Sequence, residues 1–306
     1  MRVIDAAELR HAVSMTAAID ALEAALGRGD ASLDSPLRTS LATPAGTLLT
    51  MPAVGEAGVG VKLVTLSERN PKKGLPLVQA SYVLFDAETQ RPEAVIDGTE
   101  LTAIRTAAVS GLATRFLAHR DAARLVLFGA GVQASSHLES MLAVRSIDEV
   151  IVVSRTVERA DALVQRAMSL GLQARTGTPR DVAGADIVCT CTTSTVPVFD
   201  GRVLAAGAHV NAVGAYRPDA RELDTATIRR AKVVVETRDV ALAEAGDLLI
   251  PIAEGAIGEE HILADLRELT LGAAVRTDPD DVTVFETVGV AFEDLVVARA
   301  ALDAVR

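Results

Sequence analysis

The stretch "LVLFGAGVQA" places Gly129-x-Gly131-x-x-Ala134 directly after a continuous apolar run and ahead of the helix-like segment "QASSHLESMLAV". Each residue type has a physical task in that setting. Gly129 permits a tight turn, Gly131 leaves the backbone open to a pyrophosphate, and Ala134 is small enough for helix and strand to pack closely. Ala130, Val132 and Gln133 complete the loop, whose N–H groups at a helix N-terminus attract an anion. The following strand "EVIVVSR" is also in place, so the context expected of a dinucleotide site is complete. A tight turn without a ligand is the bland alternative.

Chains that bind NAD end that second strand with an acidic residue for the ribose hydroxyls. Here it ends "VVSRT", with Ser154, Arg155 and Thr156 and no carboxylate before Glu158. An arginine can pair bidentately with a 2′-phosphate, and the two hydroxyls can add hydrogen bonds. The pattern favours NADP(H), with NAD(H) as the alternative if Arg155 is only a solvated loop residue.

Three cations sit in apolar company: Lys62 in "GVGVKLVTL", Arg38 in "SPLRTSLAT", and Arg105, spaced with Val109, Leu112 and Phe116 along one side of a helix. Any one of them alone reads as a side chain that snorkels to water. Together they can hold a carboxylate, with arginine in the bidentate role and lysine near the reacting atom. A fourth feature is "NAVGAYRPDARELD" (211–224). A small apolar run there reaches Val213 and Gly214 and then turns sharply polar at Tyr216, Arg217, Asp219, Arg221 and Glu222.

The elements that must carry these groups fall into two rhythms. At roughly 150 residues per domain, 306 residues suggest two domains. The first third pairs a helix over 16–30, stopped by Gly27 and Gly29, with short β-like runs separated by Gly and Pro. "DAETQRP" reads as a hairpin connection, and 99–120 as a long amphipathic helix with Thr99 at its N-cap. From about residue 122, wholly apolar strands alternate with helices, the signature of a parallel sheet covered on both faces. Helices are expected over "DVALAEAGDLL" and "EEHILADLREL", a strand over 281–289, and a last helix at the C-terminus.

Composition narrows the function classes. Lys plus Arg total 30 against 41 Asp plus Glu, a net charge of −11, which disfavours nucleic acid or an anionic membrane as partner. No apolar run approaches a membrane-spanning length. The cysteines, Cys189 and Cys191, read as reduced small hydrophobes of a cytoplasmic protein. The five histidines lie far apart without ligand spacing, so no metal is expected.

Across nearly its whole length the chain resembles the ornithine cyclodeaminase/mu-crystallin family. The resemblance rests on "PLRTSLATPAGTLLTMPAV", "GVKLVTL", "LTAIRTAAVSGLATRFLA", "FGAGVQA", "AVGAYRPDARELD" and "VFETVGVAFEDL". It implies an α/β fold, a Rossmann-type doubly wound domain (121–289) inserted in a discontinuous α+β substrate-binding and dimerisation domain (1–120 plus 290–306). It also implies a homodimer and a small imino- or amino-acid substrate. By resemblance Arg38 and Arg105 bind the substrate carboxylate and Lys62 is the active-site lysine. Thr106, Thr192, Ser194, Val213 and Val288 join the cofactor-binding set.

The chain departs from its cyclodeaminase members at Tyr216, where they carry an aspartate, and a phenol is a poor general base at neutral pH. The resemblance is therefore closer to the NADPH-dependent members that reduce pyrroline-2-carboxylate or piperideine-2-carboxylate. In that reading Tyr216 lines the pocket wall or donates a hydrogen bond. The alternatives are an ornithine cyclodeaminase, an alanine-dehydrogenase-like enzyme, and a non-catalytic NADPH-binding protein.

Overall fold

The computed structural model describes residues 1–27 and 35–306. They divide into two compact units, Met1–Arg105 with Val290–Arg306, and Thr106–Gly289.

The first unit opens with β1 (Arg2–Ile4), α1 (Ala6–Ala12) and α2 (Met15–Gly27). The expected end of that second helix, with Gly29 and Asp30, lies outside the described residues. A meander follows: β2 (Thr39–Thr43), β3 (Gly46–Gly55), β4 (Gly58–Leu66), β5 (Val78–Phe85) and β6 (Pro92–Asp97). The sheet order is β1-β6-β5-β4-β3-β2, antiparallel except where β1 joins β6. The expected hairpin connection joins β5 and β6. Period-two alternation buries Leu49, Met51, Ala53, Val64, Tyr82 and Leu84 on one face. The opposite face carries a row of apolar residues across five strands, Val3, Val95, Val83, Val61 and Pro52, each paired with the next.

The long helix α3 (Gly98–Leu117) crosses from the first unit into the second. Its N-terminus differs from expectation. Asp97 accepts the Glu100 N–H at 2.8 Å, while the Thr99 hydroxyl is turned to the Ala80 N–H at 2.9 Å. Aspartate suits the cap because its carboxylate also favours the positive end of the helix. On the apolar side of α3, Val109 and Leu112 are buried and Phe116 is exposed.

The second unit contains β7 (Arg124–Phe128), α4 (Val132–Val144), β8 (Glu149–Val153), α5 (Val157–Ser169), β9 (Gln173–Thr176), β10 (Ile187–Thr190) and β11 (His209–Ala212). It continues with α6 (Thr225–Arg230), β12 (Lys232–Val235), α7 (Arg238–Glu244), α8 (Gly246–Ala253), β13 (Ile262–Asp265), α9 (Leu266–Thr270) and β14 (Thr283–Glu286). All eight strands run parallel in the order β13-β12-β14-β11-β10-β7-β8-β9. The order reverses direction between β7 and β10, the doubly wound arrangement in which ligands bind outside the carboxyl ends of the strands. The expected helix over "EEHILADLREL" is instead β13 followed by α9. Ile262 and Ala264 are buried in strand alternation, and a capping box between Asp265 and Glu268 delays the helix. No helix among the described residues is long and apolar enough to cross a membrane.

The chain closes with α10 (Ala291–Ala304), which belongs to the first unit and packs on β3, β4, β5 and α2.

Candidate functional site

In the first unit, Lys62 stands mid-strand on the buried face of β4, between Met51 on β3 and Tyr82 on β5. Its side chain is 1% exposed, so it does not snorkel. The first turn of α10 answers it. Asp294 Oδ2 lies 2.7 Å from Lys62 Nζ, and Oδ1 accepts from the same nitrogen at 2.9 Å. Arg105, from α3, reaches the same turn: NH1 donates to Glu293 Oε2 at 2.7 Å and Nε stands 3.2 Å from Asp294 Oδ1. All four side chains are buried. Burial and the neighbouring Arg105 lower the Lys62 pKa to about 8, while Asp294 and then Glu293 pull the other way. An amine with that pKa exchanges protons near neutral pH, which an ordinary surface lysine does not.

Arg38 is half-buried and directly precedes β2. Thr39 pairs with Thr50, one residue before the Met51 that pairs with Lys62, so Arg38 enters the sheet at the level of the lysine. Glu293 and Asp294 were not singled out in the sequence. Their signal is two adjacent acids inside the apolar run "AFEDLVVARAAL", which has no solvent face wide enough to expose both.

The second unit gathers its candidates at the carboxyl ends of β7, β8, β10, β11 and β14. Gly129 follows β7 at φ 99°, and a Cβ there would collide with the Cys191 carbonyl beyond β10. Only glycine fits that turn. Gly131 caps α4 in extended conformation with no side-chain acceptor, and a Cβ at 131 would stand in open space. The first N–H groups of α4 therefore have no side-chain cap and no side chain in front of them at 131, which suits a diphosphate. Ala134 is fully buried against the sheet, while Ala130, Val132 and Gln133 form the accessible part of the turn. These residues fit a dinucleotide.

At the end of β8, Ser154 Oγ accepts the Thr156 N–H at 3.2 Å, which folds the turn around Arg155. Arg155 is exposed and forms no ion pair among the described residues. Thr106 is buried on α3.

The turn at 211–224 is organised by a buried acid. Glu222 is fully buried; Oε1 accepts the Thr192 N–H at 2.8 Å and Oε2 the Gly214 N–H at 2.7 Å. One carboxylate thus ties the loop after β10, with Thr192 and Ser194, to the loop after β11, with Val213 and Gly214. Asp247 on α8 accepts the backbone N–H groups of Glu222 and Leu223 at 2.9 and 2.6 Å. Glu236 accepts from Val288 and Gly289 at 3.1 and 2.8 Å and from the Thr287 hydroxyl, fixing the loop after β14. Glu286 lies buried beside these acids with neither oxygen hydrogen-bonded. Burial pushes the carboxyls of Glu222, Asp247 and Glu286 upward, and neighbouring carboxylates add to it at Asp247 and Glu286. Tyr216 is 40% exposed, and Arg217 pairs with Asp219 at 3.2 Å on the turn surface. The sequence singles out Glu222 only as one of the polar residues of the turn and gives no signal for Glu236, Asp247 and Glu286. Among the described residues no cluster of His, Cys, Asp and Glu could hold a metal ion.

A family model described as "Ornithine cyclodeaminase/mu-crystallin family" matches residues 2–306. The chain is 39% identical to a Delta(1)-pyrroline-2-carboxylate reductase of Bacillus cereus, over 98% of this chain and 95% of that protein. Among solved structures, Thermococcus litoralis Delta(1)-pyrroline-2-carboxylate reductase in complex with NADH and L-proline superposes with a TM-score of 0.95. It is 36% identical and covers 99% of this chain and 97% of its own. An archaeal alanine dehydrogenase dimer with bound NAD gives 0.93 at 30% identity, with coverages of 99% and 95%.

Proposed function

We propose that this chain, which belongs to the ornithine cyclodeaminase/mu-crystallin family, is an oxidoreductase that reduces a cyclic imino acid to the cyclic amino acid with a nicotinamide dinucleotide. The substrate is pyrroline-2-carboxylate or its six-membered homologue piperideine-2-carboxylate. The observation that carries the reading is the buried Lys62, with its pKa near 8, set beside Arg105. The Bacillus and Thermococcus relatives with the same reaction in their names support it.

The bound nicotinamide supplies a hydride to the imine carbon. The chain's own residues do the rest. Arg105 and Arg38 take the substrate carboxylate, which fixes the ring and removes the orientational part of the barrier. Lys62 protonates the ring nitrogen as its double bond to carbon becomes single. Tyr216, exposed on its turn, lines the site or donates a hydrogen bond and carries no base role.

Several finer assignments accompany this reading. Substrate binding and dimerisation belong to the first unit, and dinucleotide binding to the second. Thr106, Gly129 to Ala134, Thr192, Ser194, Val213 and Val288 serve the dinucleotide. NADP(H) is preferred over NAD(H), because Arg155 is exposed without an ion pair and no acid stands in the β8 turn. A homodimer is supported by the apolar row of Val3, Val95, Val83, Val61 and Pro52, which a second copy would cover in a self-complementary way. A cytoplasmic location is supported by the free thiols of Cys189 and Cys191.

The experiment is NADPH oxidation at increasing concentrations of each cyclic imine. Turnover is expected, with kcat/KM higher for NADPH than for NADH. No turnover with either imine, or ammonia release from ornithine without net nucleotide change, would replace this reading. Arg155→Ala should reduce the NADPH preference about ten-fold while sparing NADH.

A further inference from the structure

The catalytic lysine does not stand alone. The strand partners of Lys62 and the charged groups that act on it can be named. Met51 on β3 brings no charge. Tyr82 on β5 brings a phenol buried so deeply that its pKa is pushed well up, and it stays neutral. Arg105 on α3 brings a second cation, and Glu293 and Asp294 on α10 bring two acids. Among the described residues only Asp294 pairs with the ammonium, through both oxygens at 2.9 and 2.7 Å.

We propose that Asp294 is a positioning residue of the reduction: it keeps the Lys62 ammonium charged and fixed in direction, so that an ammonium rather than a free amine meets the imine nitrogen. The inference rests on the reading that Lys62 is the proton donor. Without Asp294, burial and Arg105 would act together against the charged form, with only the more weakly acting Glu293 opposing them. A neutral amine has no proton suited to the ring nitrogen.

The step balances in atoms and charge. Hydride from the nicotinamide forms the new C–H bond, and the C=N double bond becomes single. The proton leaves Nζ for the ring nitrogen, leaving a neutral amine hydrogen-bonded to Asp294. Water returns the proton before the next turnover. Arg105 Nε stands 3.2 Å from the same Asp294 Oδ1, so the carboxylate keeps a cation beside it while the lysine changes charge.

The test is the pH dependence of kcat/KM for pyrroline-2-carboxylate. In the wild-type enzyme activity should fall on the alkaline side near pH 8, as Lys62 loses its proton. Asp294→Asn should move that limb to lower pH by about one unit or more. Glu293→Gln should move it less, because Glu293 is the weakest of the three influences from Arg105, Asp294 and Glu293. An Asp294→Asn profile that drops by one factor at every pH, with its limb unmoved, would overturn the proposal and leave Asp294 a structural counter-ion.

Asp294→Glu keeps the charge and moves it. It should lower kcat while leaving the limb near its wild-type position, and a limb displaced as in Asp294→Asn would also count against the proposal. That variant decides the matter if Asp294→Asn does not fold. Lys62→Met separates the two levels of argument. A wild-type alkaline limb surviving in Lys62→Met would refute the lysine as donor, whatever Asp294 does.

Discussion

Among the described residues of the first unit the buried charges are two cations and two acids in contact, Lys62 and Arg105 with Glu293 and Asp294. In the second unit Glu222, Glu236, Asp247 and Glu286 are all buried, and no salt bridge reaches any of them among the described residues. There the compensation comes from backbone N–H groups at Thr192, Gly214, Glu222, Leu223, Val288 and Gly289, and at Glu222, Asp247 and Glu286 from upward-shifted carboxyls. Buried charge that is paired with charge keeps a mobile proton near neutral pH, as Lys62 does. Buried acid that accepts backbone N–H groups immobilises loops. On the proposed reading the first cluster serves chemistry and the second geometry, and substitutions should separate the two.

The largest effect should come from Lys62→Met. Loss of the proton donor should lower kcat/KM on the order of 10²–10⁴-fold. It should also cost about 3–5 kcal/mol of stability by removing the cation closest to the buried Asp294 and leaving only Arg105 beside it. Dinucleotide binding, followed by nicotinamide fluorescence, should survive; its loss would merge the two clusters into one.

Arg105→Lys comes next. A point charge cannot replace the planar fork that takes a carboxylate bidentately, so KM for the imino acid should rise roughly 30-fold, about 2 kcal/mol. The KM for dinucleotide should stay put.

Glu222→Gln tests the second cluster. Both carboxylate oxygens accept a backbone N–H, and an amide offers only one acceptor oxygen. One buried donor is left unpaired, at about 1–3 kcal/mol, and the KM for dinucleotide should rise roughly ten-fold with kcat little changed. A fall in kcat at unchanged KM would show that this acid does chemistry after all.

The smallest effect belongs to Glu286→Gln. Its carboxyl is raised by burial and by neighbouring carboxylates, and neither oxygen is hydrogen-bonded. A group whose folded pKa lies above its unfolded value favours the fold at low pH and loses that contribution as pH rises through the folded pKa. The variant lacks this penalty, so its Tm should exceed that of the wild type by a few degrees at pH 8 and converge with it near pH 4. Thermal scans at the two pH values check the difference.

Much of this was legible in advance. The glycine turn at 129–131 was readable because its geometry is local: a strand, a tight turn and a helix within about ten residues carry their own steric demands. Lys62 and Arg105 were readable as suspicious because a charge amid β-branched neighbours is unusual at any fold. The β13–α9 segment was misread as one helix because "ILADL" satisfies both periods over so short a run. Thr99 lost the cap to Asp97, two residues earlier, because both residue types cap well and only the packing of β5 chose between them.

By itself the sequence determined the class of the molecule: an acidic chain with a dinucleotide loop, a candidate carboxylate-binding trio and no acid at the Tyr216 position. The tertiary structure alone decided how each charge is answered. Lys62 and Asp294 are 232 positions apart, and Glu222 grips the loops after β10 and β11 at Thr192 and Gly214. Whether a buried ionisable group meets an opposite charge, a backbone N–H or nothing depends on long-range packing. Pairing over such separations leaves no period in the sequence, although it fixes the protonation state on which the chemistry depends.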